Sequence, residues 1–77
     1  MRFSVSRKTY ELVTADIAGL PQPRRTLFGR YDYGELDDVT VDVLLDRMED
    51  AADKSRSVRN DWTMLRMIRH EIGGDEL

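Results

Sequence analysis

The chain has 77 residues, no cysteine and a formal net charge of −3, with 35% of its residues charged. One domain is the limit at this length, and a domain so small buries only about 60% of the surface its unfolded chain exposes. Disulfide frameworks and thiolate metal sites are excluded, and no apolar run approaches the ~20 residues of a membrane-spanning helix.

A cysteine-free chain suits the cytoplasm, which is the expected location. The opening "MRFSVSRKTY" has no long apolar core, so no secretory leader is expected. The closing "GDEL" has the look of a retrieval tail, which carries no meaning without such a leader. In chain order, residues 1–5 read as a short strand with Phe3 and Val5 on one face. Residues 7–19 read as a helix: Ser6 can cap it, Tyr10, Val13, Ile17 and Leu20 recur at helical spacing, and Gly19 with Pro21 stops it. A strand is the rival there, because Thr9, Tyr10, Val13, Thr14 and Ile17 favour strands. Residues 21–36 form an aromatic-rich linker that Pro21 and Pro23 keep extended at its start. Within it, "RTLFGRYDY" has a strand or small hairpin as its alternative.

An acidic helix follows over residues 37–54. Asp37 is a good N-cap, and Leu36 and Val41 sit at the flanking staple positions. Val41, Leu44, Leu45 and Met48 make an apolar stripe, while Asp42, Asp46, Glu49 and Asp53 occupy another face. The last helix covers residues 55–73, with Val58, Trp62, Leu65, Ile68 and Ile72 on its apolar face and a Gly73–Gly74 stop. Residues 74–77 are a tail. A heptad-like seam through residues 41–72 also fits one continuous helix. The hairpin is preferred, because it lays opposite charges side by side. Residues 37–53 carry seven acids against Arg47, a net −6, and residues 54–70 carry five basic residues against Asp61, a net +4. The expected fold is therefore mainly α: a small helical domain with a C-terminal helical hairpin, or one long helix, and a short N-terminal strand. An α+β fold with a small N-terminal antiparallel sheet is the alternative.

Little in the chain resembles a catalytic set. His70 and Glu71 are adjacent on a helix, so their side chains diverge by about 100°. The zinc-protease spacing would need a second histidine where Gly74 stands. Helical carboxylates lack the glycine turn of a calcium loop. No enzyme activity, cofactor or metal is expected. A row of acids can mimic nucleic-acid phosphates to a basic partner, provided the protein's own arginines do not neutralise it.

Phe28, Tyr31 and Tyr33 hold half of the chain's six aromatics. Phe28 is expected in the core, with Tyr31 and Tyr33 partly exposed beside Arg30 as contact anchors. Met64 and Met67 fall off the centre of the last helix's apolar face and are expected to be exposed. The candidate partner surface is Arg30, Tyr31, Tyr33, Asp42, Asp46, Glu49, Asp53, Arg59 and Arg66. Val41, Leu44, Leu45, Met48, Val58, Trp62, Leu65, Ile68 and Ile72 form the core or a homodimer seam. Small size and charge, with no catalytic set, point to a non-enzymatic protein-binding module, a small regulator or inhibitor such as some phage proteins. The partner is an unknown protein, with no membrane role. The alternative is a DNA- or RNA-binding regulator using Arg56, Arg59, Arg66 and Arg69, which the negative total charge disfavours.

Overall fold

The computed structural model of the protein describes residues 1–73, with side chains as far as Glu71. Alternation at the start of the chain yields β1 (Arg2–Val5), with Phe3 and Val5 buried and Arg2 facing water. Ser6 then caps α1 (Arg7–Leu12), its hydroxyl accepting from Thr9 N–H at 3.3 Å. This helix is shorter than the one expected over residues 7–19. The Thr14 hydroxyl donates back to the Tyr10 carbonyl at 2.8 Å, a local bond that competes with helix continuation. The chain leaves through one 3₁₀ turn (Thr14–Asp16). Val13 is buried, and Tyr10, Ile17 and Leu20 pack partly buried against the core. The apolar spacing therefore finds its partners without a continuous helix.

The mainly helical expectation is corrected by the next segment. Residues 21–36, read as a linker, carry β2 (Arg24–Arg25) and β3 (Tyr31–Glu35). The three strands form an antiparallel sheet in the order β1-β3-β2, so the fold is α+β. Tyr31, Asp32 and Tyr33 alternate at the strand period of two. Between the pairs Arg2↔Glu35 and Ser4↔Asp32, β3 has one residue more than β1. Gly34, at φ 76°, takes up that extra residue as a bulge, and its N–H donates to Asp32 Oδ1 at 2.8 Å.

Asp37 caps α2 (Asp38–Ala51), accepting from Thr40 N–H at 2.8 Å. Leu36 and Val41 are both buried around that cap. After a turn at residues 52–54, Ser55 begins α3 (Arg56–Gly73), its Oγ accepting from Val58 N–H at 3.4 Å. The two helices are an antiparallel hairpin and not one rod: Arg69 near the end of α3 reaches Asp38 and Asp42 at the start of α2.

Val41, Leu44, Met48, Val58 and Leu65 are almost fully buried, and Leu45, Trp62 and Ile68 pack against them half-buried. Phe3, Val5, Val13 and Tyr33 close the same core from the sheet and the C-cap of α1. Each fully buried aliphatic side chain stabilises the fold by about 1.5–3 kcal/mol before entropy is counted. The homodimer seam rests on the expectation that two helices and an uncertain third cannot cover these residues; Phe3, Val5 and Tyr33 of the sheet join the same buried cluster, while Leu45, Trp62 and Ile68 stay half-buried at its edge. The Ile72 side chain lies outside the described residues, as does the tail at 74–77.

Candidate functional site

The most exposed apolar side chains lie where β2 turns into β3. Thr26 N–H donates to the Arg30 carbonyl at 2.8 Å, and Gly29 N–H donates to the Thr26 carbonyl at 3.0 Å. The Thr26 hydroxyl accepts from Phe28 N–H at 3.3 Å and from Arg30 N–H at 3.1 Å. Gly29 supplies the left-handed backbone that ends the loop, at φ 78°. These bonds fix a tight tip on which Leu27 is 101% and Phe28 91% exposed. Phe28 therefore departs from its expected place in the core.

The base of this hairpin is clamped to the body. Arg30 donates to Ser4 Oγ at 2.9 Å, to the Ser4 carbonyl at 2.7 Å and to Asp61 Oδ1 at 3.1 Å. Asp61 is buried on α3, and its other oxygen accepts from Ser6 N–H at 2.8 Å and from the Thr9 hydroxyl at 2.6 Å. One carboxylate thus joins α1 and its cap, the hairpin and α3. Arg30, expected on the partner surface, is occupied inside the protein. Tyr33, expected to be partly exposed, is buried, and its hydroxyl donates to Thr14. Burial pushes the Tyr33 phenol pKa up, against the opposing hydrogen bond to Thr14. Tyr31 is half-buried and stacks on Tyr10, ring centroids 4.2 Å apart. Arg24 and Arg25 flank the tip, both exposed and without an ion pair among the described residues.

The charged rows meet across the helical hairpin. Arg69 Nε lies 3.3 Å from Asp42 and its Nη2 lies 3.9 Å from Asp38, while Arg59 lies 4.0 Å from Asp53. Exposed pairs of this type contribute about 0–1 kcal/mol each. Arg66 stacks over the Trp62 ring, 4.5 Å from its centroid. Asp46 and Glu49 have no ion pair among the described residues. The acid row is therefore neutralised at its two ends and open in the middle. The arginine row, read as a phosphate contact, is largely taken up by acids and by Trp62. His70 and Glu71 are exposed at the end of α3. Met64 and Met67 are exposed too. Among the described residues no helix is long and apolar enough to cross a membrane.

Sequence reasoning passed over Leu27 and Asp61. The signal for Leu27 was two large apolar residues inside a turn, between Thr26 and Gly29, where polar side chains are usual. For Asp61 it was an acid three residues after Val58 and four before Leu65, inside the apolar stripe of α3. No family model matches the chain, and no curated protein or solved structure matches it.

Proposed function

We propose that the protein is a non-enzymatic protein-binding module, a small regulator or inhibitor that occupies a partner's surface with Leu27 and Phe28 as its anchor. The observation that carries this reading is the full exposure of both side chains on a hydrogen-bonded, clamped turn. They add nothing to the core, so folding does not account for them. Two adjacent side chains of this size present an apolar patch on the order of 300 Å². A rigid hairpin also loses little freedom on docking, which lowers the entropic cost of association.

The anchor acts with its surroundings. Burying Leu27 and Phe28 contributes about 3–6 kcal/mol together, against an association cost of at least about 4 kcal/mol. A stable complex therefore uses more surface than the tip alone, about 800 Å² per partner. Arg24 and Arg25 stand ready on the rim, where charge steers encounter and fixes register. The nucleic-acid alternative has weaker support, because Arg59, Arg66 and Arg69 already have partners within the chain.

The test is the double variant Leu27→Ser/Phe28→Ser with a photo-cross-linking residue at Arg25. Its urea unfolding should match that of the wild type to within about 0.5 kcal/mol, as for surface changes that break no contact. The specific adduct formed by the cross-linker in an extract of the source cells should disappear. An adduct that persists unchanged in the double variant would refute the anchor role.

A further inference from the structure

The tip, apolar at its end and basic at its rim, has a counterpart on the same molecule. Two adjoining depressions run between α2 and α3 and share Leu45 and Arg66 in their walls. The larger, an open groove of about 600 Å³, is lined by Leu45, the exposed Met67, Thr63 and the basic side chains Arg66, Arg69 and His70. The other has Trp62 on one side and Asp42, Asp46 and Glu49 on the other. Asp46 and Glu49 are the acids left without an ion pair among the described residues, as Arg24 and Arg25 are the arginines left so beside the tip. The Asp46–Glu49 wall carries the charge opposite to that of Arg24 and Arg25, and both surfaces present apolar side chains beside their charges.

We infer that the hairpin tip of one copy seats in the α2–α3 groove of a second copy. Phe28 and Leu27 fill the Leu45–Met67 end, and Arg24 and Arg25 face Asp46 and Glu49. The flexible Met67 side chain adapts to an aromatic ring, and its sulfur favours that contact. The two copies are taken to be related by a two-fold axis, so that the contact is made twice and the assembly closes as a dimer and not as an open filament. The association shares Leu45 and Trp62 with the seam expected from sequence, but it adds the hairpin tip and leaves Val41, Leu44, Met48, Val58 and Leu65 buried within the fold. The inference rests on the reading of Leu27 and Phe28 as an anchor, and it names the partner as a second copy.

Sedimentation velocity over 1–500 µM tests it on the intact chain, with Trp62 emission as a second readout, because Trp62 lines the groove and is the only tryptophan. The wild type should dimerise, with Trp62 emission shifting to the blue as the dimer forms, and raised salt should weaken it. Phe28→Ser should weaken the dimer at least tenfold. Arg24→Glu/Arg25→Glu and Asp46→Lys/Glu49→Lys should each abolish it, because like charges then face each other at both contacts. Mixing those two charge variants should restore a one-to-one dimer, since one contact is then wild type and the other is reversed on both sides. Circular dichroism verifies that each variant is folded. A wild type that stays monomeric at 500 µM overturns the inference, as does a dimer indifferent to Phe28 or charge variants that fail to pair. A monomer whose Arg25 adduct with another protein still depends on Phe28 refutes self-association and leaves the anchor reading standing.

Discussion

Asp61→Ala removes an acceptor that three donors share. The lost bonds are those from Ser6 N–H at 2.8 Å, the Thr9 hydroxyl at 2.6 Å and Arg30 at 3.1 Å. Thr9 is fully buried, and its hydroxyl loses the 2.6 Å acceptor and keeps only Ser6 Oγ at 3.3 Å; that costs about 1 kcal/mol, the low end for a buried polar group. Breaking a buried ion pair by deleting one side costs about 3–5 kcal/mol. The Arg30 side chain is 35% exposed and keeps both bonds to Ser4, so water screens the released guanidinium and the low end applies. The expected loss is about 4 kcal/mol in total. A chain of this length has about 4–12 kcal/mol of stability, so a third or more is at stake. Urea unfolding followed by far-ultraviolet circular dichroism measures it, with the midpoint falling and the slope unchanged. Asp61→Asn keeps an oxygen for Ser6 and Thr9 but turns an N–H₂ toward Arg30, and about half the loss is expected. A cost below about 1 kcal/mol for Asp61→Ala, or equal costs for Ala and Asn, would refute the hub assignment.

Two further outcomes follow from the loops and caps. The Asp32 carboxyl is held below the ordinary carboxylate range by the Gly34 N–H and then by Arg2, and Asp37 is held down by its bonds to Thr40. Both contribute stability above about pH 4 that is lost as pH falls through their folded values. Acid unfolding curves of Asp32→Asn/Asp37→Asn should therefore be shallower below about pH 4 than those of the wild type, and parallel curves would refute the assignment. Gly29→Ala puts a Cβ on a residue at φ 78° with no atom within 4 Å to clash with it, so its cost is purely conformational. A loss of about 1–2 kcal/mol in urea unfolding is expected, and no loss would refute the turn geometry.

What sequence made legible was local. The Ser6 and Asp37 caps and the apolar stripes of α2 and α3 all depend on residues within one or two helical turns. The sheet depends on pairs such as Arg2↔Glu35, far apart in the chain, and periodicity alone does not reveal such partners. Phe28 and Tyr33 changed places for a related reason. Strand alternation fixes which residues share a face, but the turn position decides where the strand begins and which aromatics it carries inward. The site was less legible than the fold. Arg30 looked like a surface anchor because nothing nearby in sequence signals its acceptors Ser4 and Asp61. Leu27 was overlooked because a pair of apolar residues in a turn has no periodic signature.

The Asp61 hub also constrains when the protein can acquire its shape during synthesis. Asp61 lies 55 positions after Ser6 and 52 after Thr9. At about 5–20 residues per second, a ribosome takes roughly 3–10 s to travel from Thr9 to Asp61. Throughout that interval the nascent N-terminal half has no carboxylate to anchor it and no α3 to cover Phe3, Val5 and Tyr33. Those side chains are unburied while Leu27 and Phe28 are exposed as well, so the growing chain is at its stickiest before its last helix is made. Chaperone capture and misassembly should concentrate there, and messages truncated ahead of codon 61 should yield products destined for aggregation or degradation rather than a smaller working domain.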